Sequence, residues 1–214
     1  MPDLPARAYR FYGGIDPGFT GAIVAINQPG TSVRVWDMPV HGGRGRHREL
    51  DLDKLQHVYR QLTLLPDLVL GIEWPTTRPG EGSERCERFG RQKGILHAFA
   101  WLFGLPCCFV SPQLWKGRLG LPGKGESQAV QRSADYFDRY YPDHTSQIRG
   151  PKGGIKDGRV DALLIAHFLR TSTVAGMQSV VDRFGKGSAE AQALMLGAGR
   201  GKQKNRKKNS GPPV

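Results

Sequence analysis

Two spacings of apolar residues alternate along this chain. Residues 9–15 are aromatic and rich in β formers, Pro17-Gly18 punctuates them, and residues 22–26 are apolar again, which predicts strand, tight turn, strand. Val33-Arg34-Val35-Trp36-Asp37-Met38 then alternates up to Pro39 and predicts a third strand, so three antiparallel strands from consecutive hairpins are expected. Leu52, Leu55, Val58, Tyr59 and Leu62 switch to helical spacing behind Asp51 and Asp53, predicting an amphipathic helix over 51–65. The run Asp67-Leu68-Val69-Leu70-Gly71-Ile72-Glu73-Trp74-Pro75 is almost unbroken in its apolar character, the pattern of a strand buried on both faces.

Residues 76–93 are polar and rich in glycine and arginine, and they run into a helix over about 90–103. Residues 105–110 read as the next buried strand, followed by a turn and short helix at 111–116 and a loop over 117–125. Ser127 is placed to cap a helix reaching Tyr140. A polar stretch over 141–156 precedes the last helix, 157–170, which opens on Asp157 and Asp161 and is apolar behind them.

Length and charge narrow the partners. The 214 residues suit one domain of ordinary size, and the net charge is +12. Half of that surplus sits in 197–214 (Arg200, Lys202, Lys204, Arg206, Lys207, Lys208), a stretch without acids that reads as a disordered basic tail. The body remains basic without it, which points toward a polyanion. Cys86, Cys107 and Cys108 lack metal-ligand spacing and suggest reduced thiols inside a cell rather than a zinc site. No apolar run approaches a membrane span and residues 1–10 lack the apolar centre of a signal peptide, so a cytoplasmic, nucleoid-associated protein is expected, with an organellar location left open.

Four acids carry the chemistry. Asp16 falls at the end of the first strand and Glu73 at the end of a second central strand; if those strands are neighbours, both carboxylates lie at one edge of the sheet. Asp157 and Asp161 are four apart, one above the other on the first turn of a helix, where like charges repel unless a dipole or a cation compensates. Taken singly, Asp16 also reads as a turn cap and the helix pair as acids favoured by the dipole; taken together, they read as a metal site. Four carboxylates without a His or Cys cluster are hard oxygen ligands, suited to Mg²⁺ or Mn²⁺.

Gly14-Ile15-Asp16-Pro17-Gly18, Ile72-Glu73 and Asp161-Ala162-Leu163-Leu164-Ile165-Ala166, taken in order over about 10–170, resemble the RuvC family of Holliday junction resolvases. Leu114-Trp115-Lys116, Phe89-Gly90, the basic loop at Arg44 to Arg48 and Gly158-Arg159 bring the likeness nearest to the plant chloroplast members. The resemblance implies an α/β, RNase H-like fold: a mixed five-stranded sheet, three antiparallel hairpin strands then parallel strands, flanked by helices. It implies a nuclease domain over 10–172; outside the resemblance lie an N-terminal extension over 1–9, a C-terminal extension over 173–196 with a helical reading, and the basic tail after it.

It also implies paired cuts in four-way junction DNA by a homodimer, with two Mg²⁺ ions per site, Mn²⁺ substituting, held by Asp16, Glu73, Asp157 and Asp161. One ion would activate water and the other would stabilise the leaving oxygen, Asp16 bridging them. Bacterial RuvC spaces its last two carboxylates three apart; here they are four apart, and Gly158 fills the three-residue position. The family has two basic residues near its site. Lys116 matches the first, while the second falls on Glu126, which makes Lys124 the candidate substitute.

DNA contacts are expected from Arg44, Arg46, Arg48, Arg78, Arg85, Arg88, Arg91, Arg118 and Lys124. Trp74 reads two ways, as a platform for an unpaired base or as an aromatic closing the core. Competing functions are an RNase H-like nuclease for structured RNA or other branched DNA, and a binding protein without catalysis. A sugar kinase or actin-like ATPase needs two lobes and a longer chain.

Overall fold

In the computed structural model, residues 9–42, 48–74, 82–123 and 128–172 are described. Three strands come first, β1 (Phe11–Ile15), β2 (Ala22–Asn27) and β3 (Val33–Asp37), and a two-residue pair, β4 (Val40–His41) and β5 (Glu49–Leu50), leads into α1 (Leu52–Thr63). Then follow β6 (Leu68–Glu73), α2 (Ser83–Leu102), β7 (Cys107–Val110), α3 (Pro112–Arg118), α4 (Ala129–Tyr140), a 3₁₀ segment (Pro142–Ile148) and α5 (Asp157–Thr171).

The main sheet has the order β3-β2-β1-β6-β7. β1 pairs antiparallel with β2, and β2 with β3, while β1–β6 and β6–β7 are parallel. This is the mixed five-stranded, RNase H-like arrangement expected from the sequence. Alternation along β2 explains the two cores: Ala22, Val24 and Ile26 face α4 and α5, while Ile23 and Ala25 face α1 and α2. The central strands β1 and β6 are covered on both sides, which is why β6 reads as a continuous apolar run.

Helix α5 lies on β1 at very short range, and glycine makes that possible. A Cβ on Gly14 would overlap the Ala162 carbonyl and come within 2.7 Å of the Ala166 nitrogen. At the start of α5, a Cβ on Gly158 would overlap the Thr20 carbonyl and reach 2.5 Å from the Gly21 Cα. The first turn of α5 is therefore pressed against the β1–β2 connection.

Local structure departs from expectation in several places. The β1–β2 connection spans 16–21 rather than a tight turn, and it is organised by Asp16, whose Oδ1 accepts from Gly18 N at 3.1 Å. Helix α2 begins at Ser83, not near Gly90; its first two turns are polar and mostly solvated, so no apolar stripe announces them. Helix α3 runs to Arg118, inside the expected loop, and Ser111 caps it by accepting from Leu114 N at 3.2 Å.

The N-cap of α4 is Gln128 in the left-handed region (φ 59°), not Ser127, which lies outside the described residues. The polar stretch over 141–156 holds the 3₁₀ segment, which opens on Pro142 and is anchored to the core by buried Ile148. No helix among the described residues is long and apolar enough to cross a membrane. Cys86, Cys107 and Cys108 form no disulfide. The extensions at 1–8 and 173–214, including the basic tail, lie outside the described residues.

Candidate functional site

The parallel register sets two acids side by side. Ile15 pairs with Ile72, so Asp16, one residue past β1, and Glu73, the last residue of β6, emerge at the same edge of the sheet. Helix α5 adds the other two: because Gly158 seats its first turn on Thr20 and Gly21, Asp157 and Asp161 stand beside the Asp16 connection. Glycine at 158 also explains the four-residue spacing. A carboxylate at that position, three before Asp161, would require a Cβ where the Thr20 carbonyl already lies.

Arg159 locks this helix end in place. Its Nε and Nη2 donate to Asp37 Oδ1 and Oδ2 at 2.5 and 2.9 Å, and its Nη1 donates to the Gln147 and Arg149 carbonyls at 2.9 and 3.3 Å. One guanidinium thus ties α5 to the end of β3 and to the 3₁₀ segment. The same contact holds the Asp37 carboxyl below the usual range.

Helix α3 supplies two adjacent side chains to two different acids. Trp115, fully buried, donates Nε1–H to Glu73 Oε1 at 3.0 Å, and Lys116 Nζ lies 3.3 Å from Asp161 Oδ2. Lys116 also sits 4.8 Å over the Trp115 ring. Lys116 was marked by the sequence; Trp115 was not, beyond its place in the family motif. Its signal would have been a large aromatic directly before the site lysine, just behind a Ser-Pro helix start.

Burial falls across the acids from Glu73, which is 9% exposed, through half-buried Asp16 and Asp161 to exposed Asp157. Burial pushes the Asp16 carboxyl up to about 7; the Gly18 N–H opposes this, and Asp161 and Asp157 add to it. Burial likewise pushes Glu73 up to about 8, with further contributions from Asp16 and Asp161 against the opposing Trp115 and Lys116. Each acid is therefore sensed electrostatically by at least one other.

No group of three His, Cys, Asp or Glu side chains among the described residues stands ready-spaced to hold a metal ion. Like charges do not close up without a cation between them, and here Lys116 draws Asp161 while Trp115 holds Glu73. The donor set itself still fits a hard divalent ion. Oxygen donors from four carboxylates gather at one sheet edge, and for Asp16 and Glu73 burial first, with neighbouring acids adding to it, favours the protonated form in the absence of counter-charge.

The expected DNA contacts divide. Arg44, Arg46, Arg78, Lys124 and the side chain of Arg85 lie outside the described residues. Arg48 is tied to the Asp16 connection, donating to the Phe19 carbonyl at 3.2 Å with its guanidinium 5.7 Å from the Phe19 ring. Arg88 and Arg91 lie on α2, Arg91 being 3.7 Å from Glu49, and Arg118 is exposed at the end of α3. The half-buried Trp74 ring packs 4.1 Å from that of Phe109, and Lys93 Nζ lies 4.2 Å over it.

No family model matches the chain, and no curated protein matches it. Solved structures do. Thermus thermophilus RuvC in complex with a Holliday junction substrate is 15% identical, with a TM-score of 0.48, covering 83% of this chain and 97% of that one. A second Thermus thermophilus RuvC structure is 17% identical, with a TM-score of 0.49, covering 79% of this chain and 97% of that one. The plant chloroplast group is not singled out by this likeness. The fold stands on the strand order and register described above.

Proposed function

We propose that this chain is a metal-dependent, structure-selective DNA endonuclease that resolves Holliday junctions by paired phosphodiester hydrolysis, as a homodimer acting on the nucleoid. Its family placement is with the RuvC-type resolvases, nearest the plant chloroplast members on Leu114-Trp115-Lys116 and Gly158-Arg159. The observation that carries the reading is the gathering of Asp16, Glu73, Asp157 and Asp161 at one sheet edge, with a lysine at 3.3 Å from one of them.

Those four carboxylates would hold the divalent ions, Mg²⁺ or Mn²⁺ by ligand hardness. When bound, a pair of such ions supplies an activated water and counter-charge for the leaving oxygen of an in-line displacement. The chain's own residues do the rest. Trp115 fixes the orientation of Glu73, and Arg159 and Gly158 fix the helix end that presents Asp157 and Asp161. Lys116, beside Asp161 at the rim of the acids, is placed to neutralise charge growing on the phosphate. Arg48, Arg88, Arg91 and Arg118 would follow the phosphate backbone, and the basic tail would add salt-dependent affinity.

Two symmetric cuts call for two sites related by a two-fold axis. Trp101 and Leu102, 76% and 68% exposed at the end of α2, give an apolar surface for a second copy. The test is Asp16→Asn, which is expected to abolish cutting while keeping junction binding; cutting at the parent rate would overturn the metal-site assignment.

A further inference from the structure

Helix α5 stops at Thr171. Ser172 takes the extended conformation (φ −68°, ψ 137°), its Oγ donates to the Phe168 carbonyl at 2.7 Å, and the Thr171 hydroxyl donates to the His167 carbonyl at 2.9 Å. Side chains thus share the carbonyls of the last turn, and the chain leaves the helix axis at Ser172.

Beside that exit lies an aromatic surface. Tyr140, the last residue of α4, is 52% exposed, and its ring stacks on half-buried Tyr136 at 4.7 Å. Both rings rest against the buried His167 imidazole, with centroids at 4.9 and 5.7 Å. His167 precedes Ser172 by only about 7.5 Å along the helix axis. A stacked aromatic pair with half of one ring in water still has apolar area to bury.

The sequence that follows has a matching face. Val174, Met177, Val181 and Phe184 recur at spacings of three, four and three, with Gln178, Ser179, Asp182 and Arg183 between them. An amphipathic stretch this short is marginal as a helix in water and gains its stability from a surface to lie on. Helices α4 and α5 cover one face of the sheet, and α1 and α2 cover the other. The chain therefore emerges in the layer of the two tyrosines and across the sheet from exposed Trp101 and Leu102.

We propose that residues 174–184 of this same chain form a short helix that lays Val174, Met177, Val181 and Phe184 on the Tyr136–Tyr140 surface. The inference is independent of the nuclease reading. A nucleobase is a poorer occupant, because the surface lies at the far end of α5 from Asp157 and Asp161. Docking there also sets where the basic tail begins. Arg200 follows Phe184 by sixteen residues, at most about 55 Å of chain, and Asp157 is about 15 Å from His167 along α5. The cations of the tail can then reach a polyanion held at the acids.

The experiment is hydrogen exchange on the full chain without nucleic acid, comparing the parent with Tyr140→Asp. In the parent, amides of 174–184 are expected to exchange about tenfold or more slowly than in unstructured chain, and equally so at every protein concentration. Tyr140→Asp should bring them within about twofold of the unstructured rate while β1 and β6 exchange as before. Unprotected amides in the parent, or protection that survives Tyr140→Asp, overturns the inference. Protection that rises with protein concentration assigns the surface to a second copy and overturns it as well. Should Tyr140→Asp fail to fold, Val181→Asp changes no described residue and reads the contact from the other side. It should speed exchange at 137–141 several-fold, and unchanged exchange there overturns the proposal.

Discussion

Trp115 donates its indole N–H to Glu73 at 3.0 Å in the buried floor of the site, and the next residue, Lys116, reaches Asp161. A single short helix, capped by Ser111, thus positions one neutral donor and one cation against two acids that come from different elements. The geometry separates two contacts: Trp115 holds a buried carboxylate through a neutral hydrogen bond, and Lys116 sets a cation against a second.

Trp115→Phe keeps the ring and removes the donor. Leaving a buried Glu73 oxygen unpaired costs about 1–3 kcal/mol of stability. The midpoint of urea unfolding should fall accordingly, and more Mg²⁺ should be needed for half-maximal cutting. Unchanged values in both would show that the indole hydrogen bond does nothing.

Lys116→Gln removes the cation but keeps a chain of similar length. A donor aimed at transition-state charge is worth about 10²–10³ in rate, so cutting should fall by that order while junction affinity changes little. Rates within twofold of the parent would take Lys116 out of the chemistry.

Stability should depend on pH in a direction set by the buried acids. Asp16 and Glu73 have folded-state values raised to about 7 and about 8, so the folded state holds protons that the unfolded chain has already released. Their stabilisation is complete below about pH 4 and is lost as pH rises through 7 and 8, at up to about 1.4 kcal/mol per pH unit for each proton involved. His167 works the other way.

Burial lowers the His167 imidazole to about 4, with Arg170 adding to the effect. Its Nδ1 lies 2.8 Å from the Tyr141 hydroxyl, which accepts from Arg170 Nε at 3.1 Å. Its contribution is complete above about 6.5 and is lost as pH falls toward 4. Between pH 6.5 and 8 the acids act alone, so thermal midpoints in chelator should fall across that window. Asp16→Asn should flatten the slope, and Mg²⁺ should raise the midpoint more at pH 8 than at pH 6.5. A midpoint that rises with pH in chelator contradicts the burial of these acids.

Two glycines offer an internal contrast. Gly158→Ala places a methyl into the Thr20 carbonyl, so it should lower stability and displace the helix end that carries Asp157 and Asp161. Gly94 lies in α2 with open space at its Cβ position, and Gly94→Ala should raise stability by up to about 1 kcal/mol, the helix-propensity difference. Equal effects from both would mean that the close approach at α5 is not real.

Much of this layout is legible in the sequence because burial dictates it. Continuous apolar character marked β6 and its terminal Glu73, and the Asp157/Asp161 pair ahead of an apolar run marked α5 to within one residue of its observed end. What escaped were features governed by partners distant in sequence or by no burial at all. The first turns of α2 are solvated, Trp115 is defined by a carboxylate 42 residues away, and Arg159 by Asp37, 122 residues away. The four-residue spacing of the helix acids becomes intelligible only with Gly158 seen against Thr20. Gln92, buried and unpaired, has no sequence signature.

The most direct test is cleavage of an end-labelled, immobile four-way junction beside a linear duplex and a structured RNA, with Mg²⁺ and with chelator. Paired, symmetric nicks in the junction alone, lost in chelator, are the predicted result. Cutting of the RNA or of the linear duplex at the same rate, or cutting that persists in chelator, would contradict a metal-dependent junction resolvase.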